Sequence, residues 1–307
     1  MNYMNTDITE EEDRPFDAEE VRMWSVRTMS RFLVVGLPRL IFLILIYIFF
    51  LPFGFIFHEG NFHFQNILFK IISRFKLYVF GFFKIDISKK DREILRKSDA
   101  QVIVVNHSSY LDCCVVDLLI PDTKYIASEF ISKMALFKQF LKTKCIFLGN
   151  DFKSGNITEK IQRELDKGTR IVFFSSGVCS RPEFVLKLRN GAFVPKLKIL
   201  SVHVNYYDKF WVMGEQDMNA HIISTMSSFR NKVSARVLPE YIPSEDEKKD
   251  IDLFRENYRK YYASGFGLKL SNKSYKDHPY YRHKMKDSEP VPNNSEPDSR
   301  QNRLKEN

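Results

Sequence analysis

One stretch constrains this chain more than any other. Leu40–Phe57 (LIFLILIYIFFLPFGFIF) carries no charge, and with Arg39 as a single interruption the apolar run begins at Phe32. A helix needs about 20 apolar residues to cross the hydrocarbon of a bilayer. A soluble core helix of this length would show a polar stripe, and this one has none. The run therefore predicts a helix that spans or re-enters a membrane. Pro52 and Gly54 are expected to kink or break it near its end.

Residues 61–86 have a different pattern. Phe64, Ile67, Leu68, Ile71, Ile72 and Phe75 recur at helical spacing, with Lys70, Arg74 and Lys76 mostly between them. Two readings fit: an amphipathic helix lying on a membrane, or a helix packed on the protein's own core. Ahead of both segments, residues 7–20 hold eight carboxylates and Arg14 as their one base. That composition predicts a mobile, solvated start at 1–30, and it is the reverse of the basic opening of a signal peptide.

Net charge supports a membrane setting. Lys and Arg number 47 against 38 Asp and Glu, a balance of +9. A basic excess suits an anionic membrane or phosphate-bearing substrates. Nucleic acid fits less well, because the aromatics sit inside apolar runs rather than between basic residues. The four cysteines form no CxxC pair, so neither a disulfide scaffold nor a structural zinc site is expected, and no metal site is assigned. Cys113 and Cys114 are expected as small core residues and His203 as a satisfied core histidine, while His58 and His63 are placed at the membrane interface.

From about residue 87 strands and helices alternate. Val102–Val105 (VIVV), Lys124–Ala127, Cys145–Leu148, Ile171–Phe174, Leu200–Val204 and Val233–Leu238 read as strands. Leu111–Ile120, Ser132–Leu141, Ile157–Leu165 and residues 253–264 read as helices. Such alternation predicts an α/β domain over 87–270 with a largely buried sheet. Residues 271–307, rich in Lys, Asp, Ser, Asn and Pro, are expected as a disordered polar tail.

Chemistry concentrates at Asn106-His107-Ser108-Ser109-Tyr110-Leu111-Asp112. His107 follows a strand, where the catalytic groups of α/β sheets collect. Asp112 lies in the first turn of the next helix. A bend between them can fold the carboxylate onto the imidazole, fixing its tautomer and leaving the other nitrogen to accept a proton from a hydroxyl. A histidine bonded within a turn beside a helix-capping Asp would look the same in sequence.

This segment resembles the N-H-x4-D motif of the PlsC-type glycerolipid acyltransferases. Further segments follow in the family's order. Phe173–Ser180 (FFSSGVCS) sits at the family's F-P-E-G-T, and Leu188–Phe193 (LRNGAF) resembles its F-K-x-G-A-F. Leu238–Lys248 (LPEYIPSEDEK) is similar to L-P-x-Y-x-P-S-x-x-E-K of the lysophosphatidylcholine acyltransferase-like branch. The resemblance covers roughly residues 30–278.

The resemblance implies an acyltransferase domain with a central mixed sheet flanked by helices, preceded over 31–86 by membrane-associated helices. It implies transfer of a fatty acyl group from acyl-CoA to the hydroxyl of a lysophospholipid, with no cofactor beyond the acyl-CoA co-substrate. His107 would be the general base and Asp112 its orienting partner. Asn106, Ser176, Gly177 and Arg189 would contact substrate, and amides at the start of the Leu111–Ile120 helix would stabilise the oxyanion. An intracellular membrane, the endoplasmic reticulum with the site facing the cytosol, is the implied location.

Five positions depart from the family pattern. Ser175-Ser176 replaces Pro-Glu, Val178 replaces Thr, Asn150 stands where a basic residue is usual, and Ser201 stands where Pro is usual. Asn cannot make the charge-assisted phosphate contact of Arg. Lys153, Arg181 and Arg189 lie nearby in sequence, and Arg189 occupies the family's basic position. These losses keep open an alternative: a degenerate acyltransferase that binds lipid or a partner without catalysis. A soluble α/β hydrolase is excluded because no G-x-S-x-G elbow is present.

Overall fold

The computed structural model describes residues 14–16, 25–56, 62–128, 144–148, 156–207, 222–223 and 225–279. The expected helix Ser132–Leu141, together with Asn150, Lys153 and His58, lies outside them.

A seven-stranded sheet organises the domain. Its strands are β1 (Phe82–Asp86), β2 (Val102–Val105), β3 (Thr123–Ser128), β4 (Cys145–Leu148), β5 (Arg170–Phe174), β7 (Ile199–Tyr206) and β8 (Asn231–Val237), while β6 (Phe184–Val185) and β9 (Lys269–Leu270) pair separately. The order is β1-β8-β7-β2-β5-β3-β4. Every neighbouring pair is parallel except β7 and β8, so the sheet is mixed, as expected. The run VIVV is wholly buried because both faces of the sheet are covered. Ile103 and Val105 pack with Leu111, Val115 and Leu77 on one face, and Val102 and Val104 with Phe254 and Tyr258 of the helix Ile251–Phe266 on the other. Alternation along a strand divides one apolar run between two cores.

The apolar N-terminal run forms a near-continuous helix: α1 (Val26–Arg31), a π-helical segment at Phe32–Gly36, and α2 (Leu37–Ile56). Val26–Phe50, 25 residues, is long and apolar enough to cross a membrane. The break expected at Pro52 and Gly54 is absent, and the helix runs through Pro52 to Ile56. A proline removes one amide donor, a small loss in the last turns. Arg39 donates to the backbone carbonyls of Met226, Ser228 and Phe229, which fastens α2 to the loop before β8.

The helical segment expected over 61–86 divides in two. Helix α3 (Phe62–Val79) ends at Gly81, whose φ of +80° suits glycine, and Phe82–Asp86 forms an edge strand instead. The helix packs on the protein's own core, the second of the two readings, and leaves part of its apolar surface exposed. Leu68, Phe69 and Ile72 are buried, while Ile67, Ile71, Phe75 and Tyr78 stay exposed. Helix α4 (Lys89–Lys97) follows β1, and beneath the buried face of α3 the next helix, α5 (Asp112–Leu119), presents Asp117, which accepts from Ser73 of α3 at 2.9 Å and from the Tyr125 hydroxyl at 2.8 Å. Lys144 completes this buried cluster at 2.9 Å.

Two expected boundaries shift. Phe16, assigned to a mobile start, is buried with Val178 and Leu186, and the Pro15 carbonyl accepts from the Arg181 amide at 2.8 Å. Ser271, assigned to a disordered tail, is fully buried, and its carbonyl accepts from Arg259. A short 3-10 turn, Tyr275–Asp277, follows under a Ser274 capping box. Local polarity misled in both places, because long-range apolar and hydrogen-bond partners hold these segments.

Candidate active site

β2 ends at Val105, directly beside Phe174 at the end of β5. Both strands therefore deliver their following turns to one rim of the sheet. Beyond β2 the chain turns through residues 106–111 into α5, whose first residue is Asp112. Asp112 is fully buried, and each of its oxygens is partnered. Oδ2 accepts from the amides of Ser108 at 2.8 Å and Ser109 at 2.9 Å, and lies 2.9 Å from His107 Nδ1. Oδ1 accepts from the Tyr206 hydroxyl at 2.7 Å. A buried carboxylate with this many donors is held in one orientation. It fixes the imidazole with Nδ1 turned inward, so Nε2 is the atom left for proton transfer.

The ring is also held on its face. Phe174 stacks on His107 with centroids 4.4 Å apart. The His107 side chain keeps 23% of its surface exposed, while the Asp112 side chain keeps none. Burial pulls the imidazole's proton affinity down. Interaction with Cys179 and with the Asp112 carboxylate more than reverses this, and the balance lies above the ordinary value of 6.5.

The turn after β5 folds over the same imidazole. The Ser180 amide donates to the His107 carbonyl at 2.8 Å. Ser176 is buried, and its hydroxyl donates to the Val178 carbonyl at 2.8 Å, closing the turn. Gly177 has φ +76°, and a Cβ there would meet Arg189 Cδ at 2.7 Å. Arg189 passes over this glycine, its amide donates to the Ser175 carbonyl at 2.8 Å, and its guanidinium lies 4.7 Å from the centre of the Tyr275 ring. Gly177→Ala is expected to cost more than about 1 kcal/mol, from backbone strain and displacement of Arg189. Thermal unfolding of the variant checks this, and a transition at the wild-type temperature would refute it.

The structure brings His107, Asp112, Ser176, Gly177 and Arg189 to one end of the sheet. Asn106 differs. Its side chain donates to the Val204 carbonyl at 2.8 Å and accepts from the Val204 amide at 2.7 Å, so it braces β2 against β7. The helix-start amides expected for an oxyanion are largely committed as well. Those of Ser108 and Ser109 bind Asp112, and those of Cys114 and Val115 bind the Leu111 carbonyl.

Three neighbours of His107 and Asp112 escaped the sequence reading: Tyr206, Phe174 and Cys179. Tyr206 lies 94 positions from its partner Asp112, and nothing local marks it. His203 is the buried core histidine expected. Burial, with Arg236 beside it, lowers its proton affinity to about 3. Ser201, where proline is usual, shares a buried 2.8 Å hydrogen bond with the Tyr258 hydroxyl. Among the described residues no cluster of His, Cys, Asp or Glu is arranged to hold a metal.

Residues 86–210 match the family model described as Acyltransferase. Similar proteins include a lysophosphatidylcholine acyltransferase of Drosophila melanogaster, 28% identical over 210 residues, 66% of this chain and 39% of that protein. A lysophospholipid acyltransferase of Arabidopsis thaliana, LPEAT1, is 28% identical over 245 residues, 69% of this chain and 61% of that protein. The chain thus spans about two to three fifths of the length of these relatives. In fold it resembles the crystal structure of PlsC, the 1-acyl-sn-glycerophosphate acyltransferase of Thermotoga maritima, with a TM-score of 0.55 at 16% identity over 80% of this chain and all of that one. Strand order, the His107–Asp112 turn and these likenesses converge: over residues 86–210 the chain is similar to the acyltransferase family, and its fold is similar to that of PlsC.

Proposed function

We propose that the protein transfers a fatty acyl group from acyl-CoA to the free hydroxyl of a lysophospholipid, at an intracellular membrane of the endoplasmic reticulum type with the site facing the cytosol. The observation that carries this reading is His107 Nδ1 at 2.9 Å from a buried, fully bonded carboxylate, on a ring that stays partly exposed. An alcohol is a weak nucleophile and needs an adjacent base. Nε2 takes the hydroxyl proton as the oxygen attacks the thioester carbonyl. The tetrahedral centre then collapses, the C–S bond breaks and CoA leaves as its thiol, taking up the proton. Arg189 and the turn at Ser176 and Gly177 are the proposed contacts for the acceptor.

Purified protein assayed with radiolabelled acyl-CoA against a panel of lysolipids tests this, with labelled diacyl product as the expected result. His107 must be neutral to act as a base. Activity is therefore expected to rise with pH, along a limb whose midpoint lies above 6.5 because the folded environment favours the charged ring. Asp112→Asn is expected to move that midpoint down. An unmoved limb would show that another group titrates.

A second reading rests on Ser175-Ser176 in place of the family's Pro-Glu. A serine cannot replace a carboxylate's charge, so the chain would bind lysolipid without catalysis. Tight lysolipid binding with no product in the assay would favour it.

A further inference from the structure

A second polar site lies three strands from His107. β7 runs parallel to β2, so Tyr207, just beyond its carboxyl end, stands on the same rim of the sheet as His107. β8 runs antiparallel to β7 and therefore starts on that rim, and β1 begins beside it, with Phe82 paired to Asn231. Here Phe83, Lys84, Asp86, Tyr207, Arg230 and Lys232 line a depression of about 340 Å³.

Its chemistry is two-fold. Lys84 is spent on Asp86 at 2.8 Å, whereas Arg230 and Lys232 are exposed and meet no ion-pair partner among the described residues. Large apolar rings surround these cations: Phe229 is 66% exposed, Tyr207 60% and Phe83 52%. Exposed apolar rings beside exposed cations are the signature of a surface meeting hydrocarbon and headgroups together.

Position identifies the partner. The loop that carries Phe229 and Arg230 is the one whose carbonyls hold Arg39 of α2. Phe83 lies 6.2 Å from Tyr78, at the end of the exposed apolar face of α3. The basic depression thus continues an apolar surface formed by α2 and α3. We propose that Arg230 and Lys232 bind the headgroups of anionic phospholipids in the membrane that α2 enters. This would set the orientation of the sheet rim, and of His107 with it, against the bilayer. The proposal depends on membrane attachment and not on acyl transfer, so it stands or falls separately from the proposed reaction.

Each basic residue near an anionic surface contributes about 1 kcal/mol, roughly five-fold in partitioning. The test uses the full chain, diluted from nonionic detergent into a mixture of phosphatidylcholine vesicles and phosphatidylcholine vesicles containing one-third phosphatidylserine. The two populations carry different fluorescent labels and are separated after flotation. Wild type is expected to favour the anionic vesicles and to lose that preference at high salt. Arg230→Ala/Lys232→Ala is expected to cut the preference by roughly 25-fold with unchanged binding to neutral vesicles. Phe229→Ala is expected to weaken binding to both populations and to keep the preference. Equal wild-type partition between the vesicles, or an undiminished preference in the double variant, would overturn the proposal.

Discussion

His107→Ala is expected to reduce acyl transfer by about 10²–10⁴-fold while leaving the fold intact, because a positioned general base contributes that much. Structural damage should be small. The imidazole is partly exposed, and its loss leaves Asp112 bonded to two backbone amides and the Tyr206 hydroxyl. Asp112→Asn acts on the same step by another route. It removes the charge opposite Nδ1 and puts an amide where the ring requires an acceptor. In the double variant the two losses are expected to overlap rather than multiply, since Asp112 acts only through the imidazole. Initial rates on one acceptor for the four proteins of this cycle check the claim. Full multiplication of the two losses would mean that Asp112 serves the reaction independently.

Asp117→Ala is expected to produce the largest loss of stability. Asp117 sits among Ser73, Tyr125 and Lys144 where α3, α5 and β3 meet. The Lys144 side chain is 5% exposed, and the Thr123 carbonyl at 2.9 Å is its other bonded partner. Removing the carboxylate strands a buried ammonium, at a cost of about 3–5 kcal/mol. For a domain of this size the loss corresponds to a fall in Tm of about 6–20 °C. Asp117→Leu with Lys144→Met removes both charges together and is expected to recover most of the loss. Thermal unfolding in detergent compares the variants. A single variant within a degree or two of wild type would show that the cluster contributes little.

The elements legible in the sequence were those whose causes are local. Val102–Val105 and Ile171–Phe173 are buried on both faces, so uninterrupted apolar runs mark them as strands. The His107–Asp112 contact was legible too, because five positions of turn separate the partners. What escaped depends on partners distant in the chain. Phe82–Asp86 continues the helical pattern of the segment before it, and becomes a strand only because Asn231–Val237 offers an edge. The Ser271–Asp277 segment is polar, yet Arg259 binds Ser271, and the Arg189 guanidinium lies on the Tyr275 ring. Asn106 looked like a substrate ligand by position, while its amide is consumed by β7. The lysine that closes the Asp117 cluster lies 27 residues beyond that carboxylate, with nothing in its neighbourhood to announce the pairing.

The central claim is that proton removal by His107 drives acyl transfer. Its most direct measurement sets wild type and His107→Ala side by side with labelled acyl-CoA and the best lysolipid acceptor, counting labelled phospholipid formed per unit time. The account predicts steady product from wild type and at least about 100-fold less from a variant with the same unfolding temperature. Equal rates from the two proteins would contradict it.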